Sequence, residues 1–194
     1  DLAILPVQDF PFVELEDHNF SLNMSGDKFG KVLESTSFAM ASADVRYYLN
    51  GLLLETSQKK INLVATDGHR LAWGSYSYSE DLEEKKIIIP RSTALELQRI
   101  LNICPEAISI SSNNSQLKVE SDNFTFISQL IEGAYPDYKK VFPSGEEQSL
   151  ETSKSPILTA LSRSAVLSNE KFRGVKFEPV SYTHLTLPTS HNVE

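Results

Sequence analysis

Apolar residues recur at helical spacing in three stretches. Residues 25–42 carry Phe29, Val32, Leu33, Thr36 and Met40, Arg91–Leu101 carries Ala94, Leu97 and Leu101 behind Pro90, and Pro156–Ser168 carries Leu158, Leu161 and Ala165. The segments between them alternate or are rich in β-branched and aromatic residues. They predict strands over Phe20–Leu22, Gly51–Thr56, Ile61–Thr66, Arg70–Tyr76, Ile87–Ile89, Ala107–Ser111, Gln116–Glu120 and Phe124–Leu130. Asp67-Gly68 predicts a type I′ hairpin turn. The order strand, helix, three strands thus occurs twice in succession, so the expected class is α+β, a doubled βαβββ unit.

A longer repeat overlies this one. Phe10-Pro11 matches Tyr135-Pro136, and Asn50–Glu55 matches Arg173–Glu178, with Gly and Glu in place, about 125 residues later. The expected layout is the end of one domain at 1–13, a complete domain at 14–145 and the start of a third at 146–180. Leu2–Leu5 reads as a strand already under way, so the chain reads as cut at its N-terminus. Residues 181–194 continue neither repeat. The string Ser181–Thr189 resembles a translated sequencing adaptor and is read as a non-native tail.

Composition narrows the possible partners. Hydrophobic residues make up 40% of the chain, enough for a sizeable core, and 18 Lys and Arg against 26 Asp and Glu leave a net charge of −8. A uniformly basic surface is excluded, so any nucleic-acid contact must be local. The single Cys104 excludes a disulfide framework and a four-cysteine zinc site, and it fits a reducing compartment such as the cytoplasm. No apolar run reaches the roughly 18 residues that span a bilayer. The Asn-x-Ser/Thr triplets headed by Asn19, Asn23, Asn113 and Asn123 are taken as chance.

With about 100° per residue around a helix axis, each predicted helix turns a cation away from its apolar stripe. Lys31, flanked by Lys28, does so on the first helix, Arg99 on the second and Arg163 on the third. Such positions serve solubility on many surface helices. The other reading is a weakly cationic layer that touches phosphates without reading bases. Asp27, Glu34 and Glu96 on the same helices would keep that layer mild. The first helix also turns Phe38 outward, and the sequence gives no reason for it.

Thr66-Asp-Gly-His-Arg-Leu71 is the densest polar cluster, and it admits three readings. Asp-Gly can simply make the turn; His69 can act as a base oriented by Asp67; or the turn and Leu71 can rim an apolar pocket for a partner's peptide, oriented by Gly68 and Arg70. Catalysis lacks partners, because no nucleophile elbow, metalloprotease or phosphate-loop motif accompanies His69. Arg46-Tyr47-Tyr48-Leu49 is either strand content or an exposed loop that meets phosphate and stacks on unpaired bases.

At these residues the chain resembles a known family. Asp44–Gly51, Ala65–Leu71, Tyr135–Tyr138 and Leu167–Val175 are similar, in order, to signatures of the bacterial sliding clamps, the beta subunits of DNA polymerase III. The similarity covers about residues 1–178. It implies the DNA clamp fold, with antiparallel sheets outside and two helices on the inner face of each domain, three domains per chain and two chains in a homodimeric ring. It further implies a non-catalytic processivity factor, without metal or cofactor, that encircles duplex DNA and tethers the replicative polymerase, the clamp loader and repair proteins.

Carried over by position, the partner-peptide pocket comprises Leu49, Thr66, Gly68, His69, Arg70, Leu71, Pro136, Lys140 and Val141. The DNA-facing set comprises Lys28, Lys31, Arg46, Tyr47, Tyr48, Arg91, Arg99 and Arg163. Lys140 stands where relatives commonly carry Arg, which weakens bidentate contacts. Ala43 stands where a polar residue is usual. The expected setting is the cytoplasm, at the nucleoid during replication and away from membranes. The chain by itself, with most of a first domain and part of a third missing, is not expected to close a ring. The alternative is a stand-alone peptide-binding module.

Overall fold

A computed structural model describes residues 18–142 and 151–167, with Pro6 and Val175 besides. The chain divides into two units, Asp1–Pro143 and Ser144–Glu194. In the first unit the elements are β1 (Phe20–Ser25), α1 (Gly26–Ser37), β2 (Gly51–Thr66), β3 (Leu71–Pro90), α2 (Arg91–Ile103), β4 (Ala107–Ser112), β5 (Gln116–Glu120) and β6 (Thr125–Gln129). Described in the second unit is one helix, α3 (Lys154–Leu167). Its least exposed positions are Ile157, Leu161 and Ser164, not the expected stripe through Leu158, which is exposed. The expected strand at Leu2–Leu5, the expected strand at Arg173–Glu178 apart from Val175, and the tail at 181–194 lie outside the described residues.

Four expected strands prove to be two. Gly51–Thr56 and Ile61–Thr66 are the ends of β2, and the expected Arg70–Tyr76, which begins one residue later at Leu71, and Ile87–Ile89 fall within β3; the two long strands pair antiparallel from Gly51↔Pro90 to Thr66↔Leu71. The register shifts on either side of Gln58, whose φ of 48° bends the ribbon. At this bulge Thr56 Oγ1 donates to Glu83 O (2.6 Å) and accepts from Lys85 N–H (3.0 Å), replacing lost ladder bonds. Polar Ser57–Lys60 offers no hydrophobic face to hold, so the sequence reads as a break while the backbone continues.

Split at the bulge, the chain order is again strand, helix, three strands, twice. The second sheet runs β1-β4-β5-β6, all antiparallel, with Phe20 opposite Ser112 and Gln116 opposite Gln129. Each sheet therefore takes three strand segments from one βαβββ unit and a single segment from the other: β1 joins the second unit's strands, and Lys85–Pro90 joins the first unit's.

The helices cover one side of both sheets. Phe29 and Leu33 of α1 and Ala94, Leu97 and Leu101 of α2 meet Leu22, Leu52, Leu54, Leu63, Ile89, Ile110 and Val119 in one buried core. Alternation sends Leu53, Val64 and Ile88 to the opposite face of β2 and β3. There, Tyr138 completes a second, smaller cluster, with Tyr48, Leu71, Ile131 and Tyr135 packed against it. At Leu52–Leu54, Ile61–Ala65 and Ile87–Ile89 the ribbon is buried on both faces, so these stretches are not split into a buried and an exposed set.

Helix α1 ends at Ser37, five residues before the expected Ser42. Ser25 caps its start by accepting from Lys28 N–H (3.5 Å). At the other end Ala39 N–H and Met40 N–H bond back three residues, to Thr36 O and Ser37 O. This tightening turns Met40 into the core without helical backbone. Helix α2 starts differently: Pro90 has no side chain to cap with, and Asn50 O accepts from Arg91 N–H (3.0 Å).

Candidate functional site

Asp67 folds the connection between β2 and β3 around its carboxylate. With Thr66 opposite Leu71, the loop is the four residues Asp67–Arg70, and of these only Gly68 has positive φ, at 89°, so it is not the expected type I′ turn. Asp67 Oδ1 accepts from the backbone N–H groups of His69 (2.9 Å) and Arg70 (3.0 Å), and Oδ2 accepts from Arg70 Nε (3.0 Å). These bonds, the His69 amide foremost, hold the Asp67 carboxyl below its ordinary range. Thr66 Oγ1 accepts from Gly68 N–H (3.0 Å) and donates to Arg70 O (2.7 Å). Asp67 therefore serves the backbone of His69 and not its exposed imidazole, the opposite of a base and its orienter.

Arg70 reaches across to the end of α1. Its Nη2 donates to Phe38 O (2.9 Å), and its guanidinium lies 5.6 Å from the centroid of the Phe38 ring. This explains the outward Phe38, for which sequence periodicity had no use: its ring carries a pocket-loop arginine.

Arg46 belongs to the same cluster. It precedes a 3₁₀ turn, Tyr47–Leu49, where the alternatives were a strand or an open loop. Its Nε and Nη2 clamp the two oxygens of Asp44 (3.0 and 2.9 Å), and Nη2 also donates to Asp67 O (3.4 Å). The Arg46 guanidinium drives the Asp44 carboxyl down to about 2. A Cβ at position 68 would meet only the exposed guanidinium of Arg46, 3.1 Å from Nη2, so it is the positive φ that calls for glycine there. Of the nearby residues, Leu49 is buried, Tyr48 packs on the outer cluster and Tyr47 is exposed, edge-on to Tyr48 at 5.8 Å.

The remaining residues expected in the pocket arrive on the segment that crosses the outer face after β6. Thr66 N–H donates to the hydroxyl of Tyr135 (3.1 Å), whose burial pushes the phenol up to about 12. Pro136 follows, and Tyr138 then donates its hydroxyl to Glu55 Oε2 (2.6 Å), with Lys86 (3.0 Å) and Lys139 (3.7 Å) also on that carboxylate. Lys140 pairs with Asp137 (3.2 Å), and Val141 stands exposed. Thr66, Gly68, Arg70, Leu71 and Arg46 thus come together directly, while Pro136, Lys140 and Val141 are placed by Tyr135 and Tyr138. A cleft of about 550 Å³ lies beside them, lined by Leu53, Ile88, Ile131 and Tyr135 among others, and contains none of the nine expected pocket residues.

Glu55 makes this anchor sensitive to acid. Burial alone would raise its carboxyl, but the bonds from Tyr138 and Lys86 and the lysine charges outweigh burial and hold it below its ordinary 4.5. A depressed carboxyl contributes stability that is present above that value and lost as the pH falls below it. Glu55→Gln is therefore expected to lower stability at pH 7 by about 1–3 kcal/mol and to flatten the decline between pH 5 and 3, measured by urea unfolding. An unchanged acid slope would remove Glu55 from the anchor.

On the helix side, Lys28, Lys31 and Arg99 are exposed. Lys31 pairs with Asp27 (2.8 Å), Arg99 with Glu96 (2.6 Å), and Lys28 lies over the Tyr76 ring at 5.5 Å. Arg91 is half-buried and donates to Met40 O (3.1 Å). Arg163, on α3 of the second unit, is exposed.

Residues 23–137 match the family of the DNA polymerase III beta subunit, central domain. The chain belongs to this family. It is 41% identical over 178 residues to a Beta sliding clamp of Pseudomonas putida and 36% identical over 193 residues to that of Escherichia coli K12; the alignments cover 91% and 100% of this chain and 48% and 52% of those proteins. Among solved structures, a DNA polymerase sliding clamp from Pseudomonas aeruginosa with ligand superposes with a TM-score of 0.82 at 38% identity. It covers 87% of this chain and 46% of that one. A DnaN sliding clamp of the same organism, bound to griselimycin, also gives 0.82, at 39% identity with the same coverage. The chain spans about half the length of these relatives.

The DNA clamp fold that the resemblance implied, with its doubled βαβββ unit, is thus this family's. Within it, sequence reading gave no holding role to Glu55, Tyr135, Tyr138 and Phe38, which fix the expected pocket residues in place. Tyr135 and Tyr138 carried a signal through the family's Tyr-Pro-Asp-Tyr motif, Glu55 through its place in the longer repeat, and Phe38 through its outward position on the expected first helix.

Proposed function

We propose that the chain is the middle portion of a sliding clamp, a non-catalytic processivity factor for DNA replication, with domains divided as 1–13, 14–145 and 146–180. The observation that carries this is the two-sidedness of the β2–β3 ribbon: a helix layer with exposed cations on one face, an apolar cluster beside the Thr66–Leu71 loop on the other. Lys31 and Arg99 are already paired with carboxylates at 2.8 and 2.6 Å, so each offers a phosphate only part of its field. Such a face suits weak, sequence-independent contact with duplex DNA, where few counterions are released and sliding stays free. Lys28, Arg91 and Arg163 belong to the same reading, as do Arg46, Tyr47 and Tyr48, although Arg46 must leave Asp44 to reach a phosphate.

The opposite face receives short hydrophobic segments of the replicative polymerase, the clamp loader and repair proteins, through Leu49, Thr66, Gly68, His69, Arg70, Leu71, Pro136, Lys140 and Val141. In the full-length protein two copies close a ring around DNA in the cytoplasm, with no cofactor. A full-length ring carrying this domain is expected to stay on nicked circular DNA and to leave when that DNA is linearised. Equal retention on circle and line would mean ordinary electrostatic binding and would overturn the proposal; binding of hydrophobic peptides without any topological dependence would favour the stand-alone module.

A further inference from the structure

Two large aromatic side chains remain half in water on the outer face, one step from the proposed pocket along each of two chain segments. Trp73 follows Leu71 by two residues on β3 and so shares its face, opposite buried Val64. Phe142 directly follows Val141. Trp73 is 52% exposed and Phe142 46%. Their rings meet edge to face at 5.9 Å, and Phe142 meets the buried Tyr138 in the same manner at 6.4 Å. Trp73 Nε1 donates to Asn62 Oδ1 (3.3 Å), which sets the indole across the ribbon. The result is an aromatic row anchored at one end in the outer cluster and open to solvent at the other.

Exposed aromatics on such fixed supports are costly to leave in water and suited to binding. They offer 150–250 Å² of surface each when fully buried, with little conformational entropy left to lose, which is the profile of an interface anchor. A peptide lying against Leu71 and Val141 has only to continue by one or two residues to cover them. We propose that Trp73 and Phe142 form a ledge that extends the pocket and selects partner segments bearing an aromatic side chain beside their apolar pair. The inference rests on the pocket reading above and adds to it a specificity element contributed by these two residues.

Trp73 is the chain's one tryptophan, so its emission reports the ledge alone. The test uses the 194-residue chain and fluorescein-free peptides of eight residues: a Ser-flanked Leu-Leu parent, and versions with a single Phe placed two residues before or two residues after the pair. One Phe version is expected to bind about fivefold tighter than the parent and to shift Trp73 emission to the blue. Phe142→Ala, which keeps the fluorophore, is expected to abolish that preference while leaving the parent's affinity unchanged; Trp73→Ser should do the same in calorimetry.

Binding of the parent with no gain from Phe at either side overturns the ledge and leaves the pocket standing. Absence of binding by every peptide overturns the pocket and the ledge with it. Trp73 emission that is already blue and shielded from acrylamide without peptide shows the ledge covered by the chain itself. A blue shift that grows with protein concentration shows it covered by a second copy. Either result overturns the proposal.

Discussion

Leu97→Ala is expected to lower the stability of the first unit by about 2–5 kcal/mol, the range for emptying a fully enclosed leucine site. Leu97 is wholly buried on α2, in the layer where α1 and α2 meet each other and both sheets. The site has little room to collapse, because backbone already lies close around it. A Cβ on Gly30 of α1 would be 3.4 Å from Leu101 Cβ, and one on Gly26 would be 2.4 Å from Glu106 O. Gly30 lets α1 lie directly against Leu101 of α2, and Gly26 lets its first turn lie against the chain just beyond α2, which limits how far the helices can move inward to fill a void. Urea unfolding monitored by far-ultraviolet circular dichroism reads the loss. Leu97→Met, which keeps the volume, should stay within about 1.5 kcal/mol of the parent. A loss below 1 kcal/mol for the alanine variant would mean that the helix layer is not the structural centre described above.

Leu71→Asp is expected to weaken a Leu-Leu peptide by a factor of about ten to one hundred, the equivalent of losing one buried aliphatic contact. Leu71 is half-exposed, packs on the outer cluster and stands at the junction of the Thr66–Leu71 loop with β3. Its carboxylate replacement would put charge where a partner's apolar side chain must be desolvated. Lys31→Ala, on the opposite face of the ribbon, serves as the control and should leave the affinity unchanged. Equal affinity of Leu71→Asp and the parent would exclude this surface as the peptide site, whatever the helix face does with DNA.

Much of this architecture was legible because it is local. Helical spacing marked α1 and α2, alternation marked the strands, and Asp67-Gly68 marked the turn at the right place, although the turn type was decided by hydrogen bonds to Asp67 Oδ1 that the dipeptide does not reveal. The bend at Gln58 was invisible: four polar residues say that packing stops, not that the backbone hydrogen bonds continue through Thr56. The expected pocket residues came from family likeness, whereas the groups that hold them depend on distant pairs. Glu55 and Tyr138 are 83 residues apart, and Phe38 and Arg70 are 32 apart. The recurrence of Glu55 at Glu178 marks the position, but it does not say that the carboxylate is buried or which tyrosine reaches it.

The strand exchange between the two βαβββ units has a consequence for how such a domain can arise and fail. Neither unit owns a complete sheet: without Phe20–Ser25 the β4 edge lies bare, and without Lys85–Pro90 the first half of β2 has no neighbour. A half-length version of this architecture would have to exchange a strand with a second copy, as swapped dimers do, and the single chain makes that exchange internal. The same exchange makes the halves live or die together, so damage at one end of the domain is felt as loss of the whole.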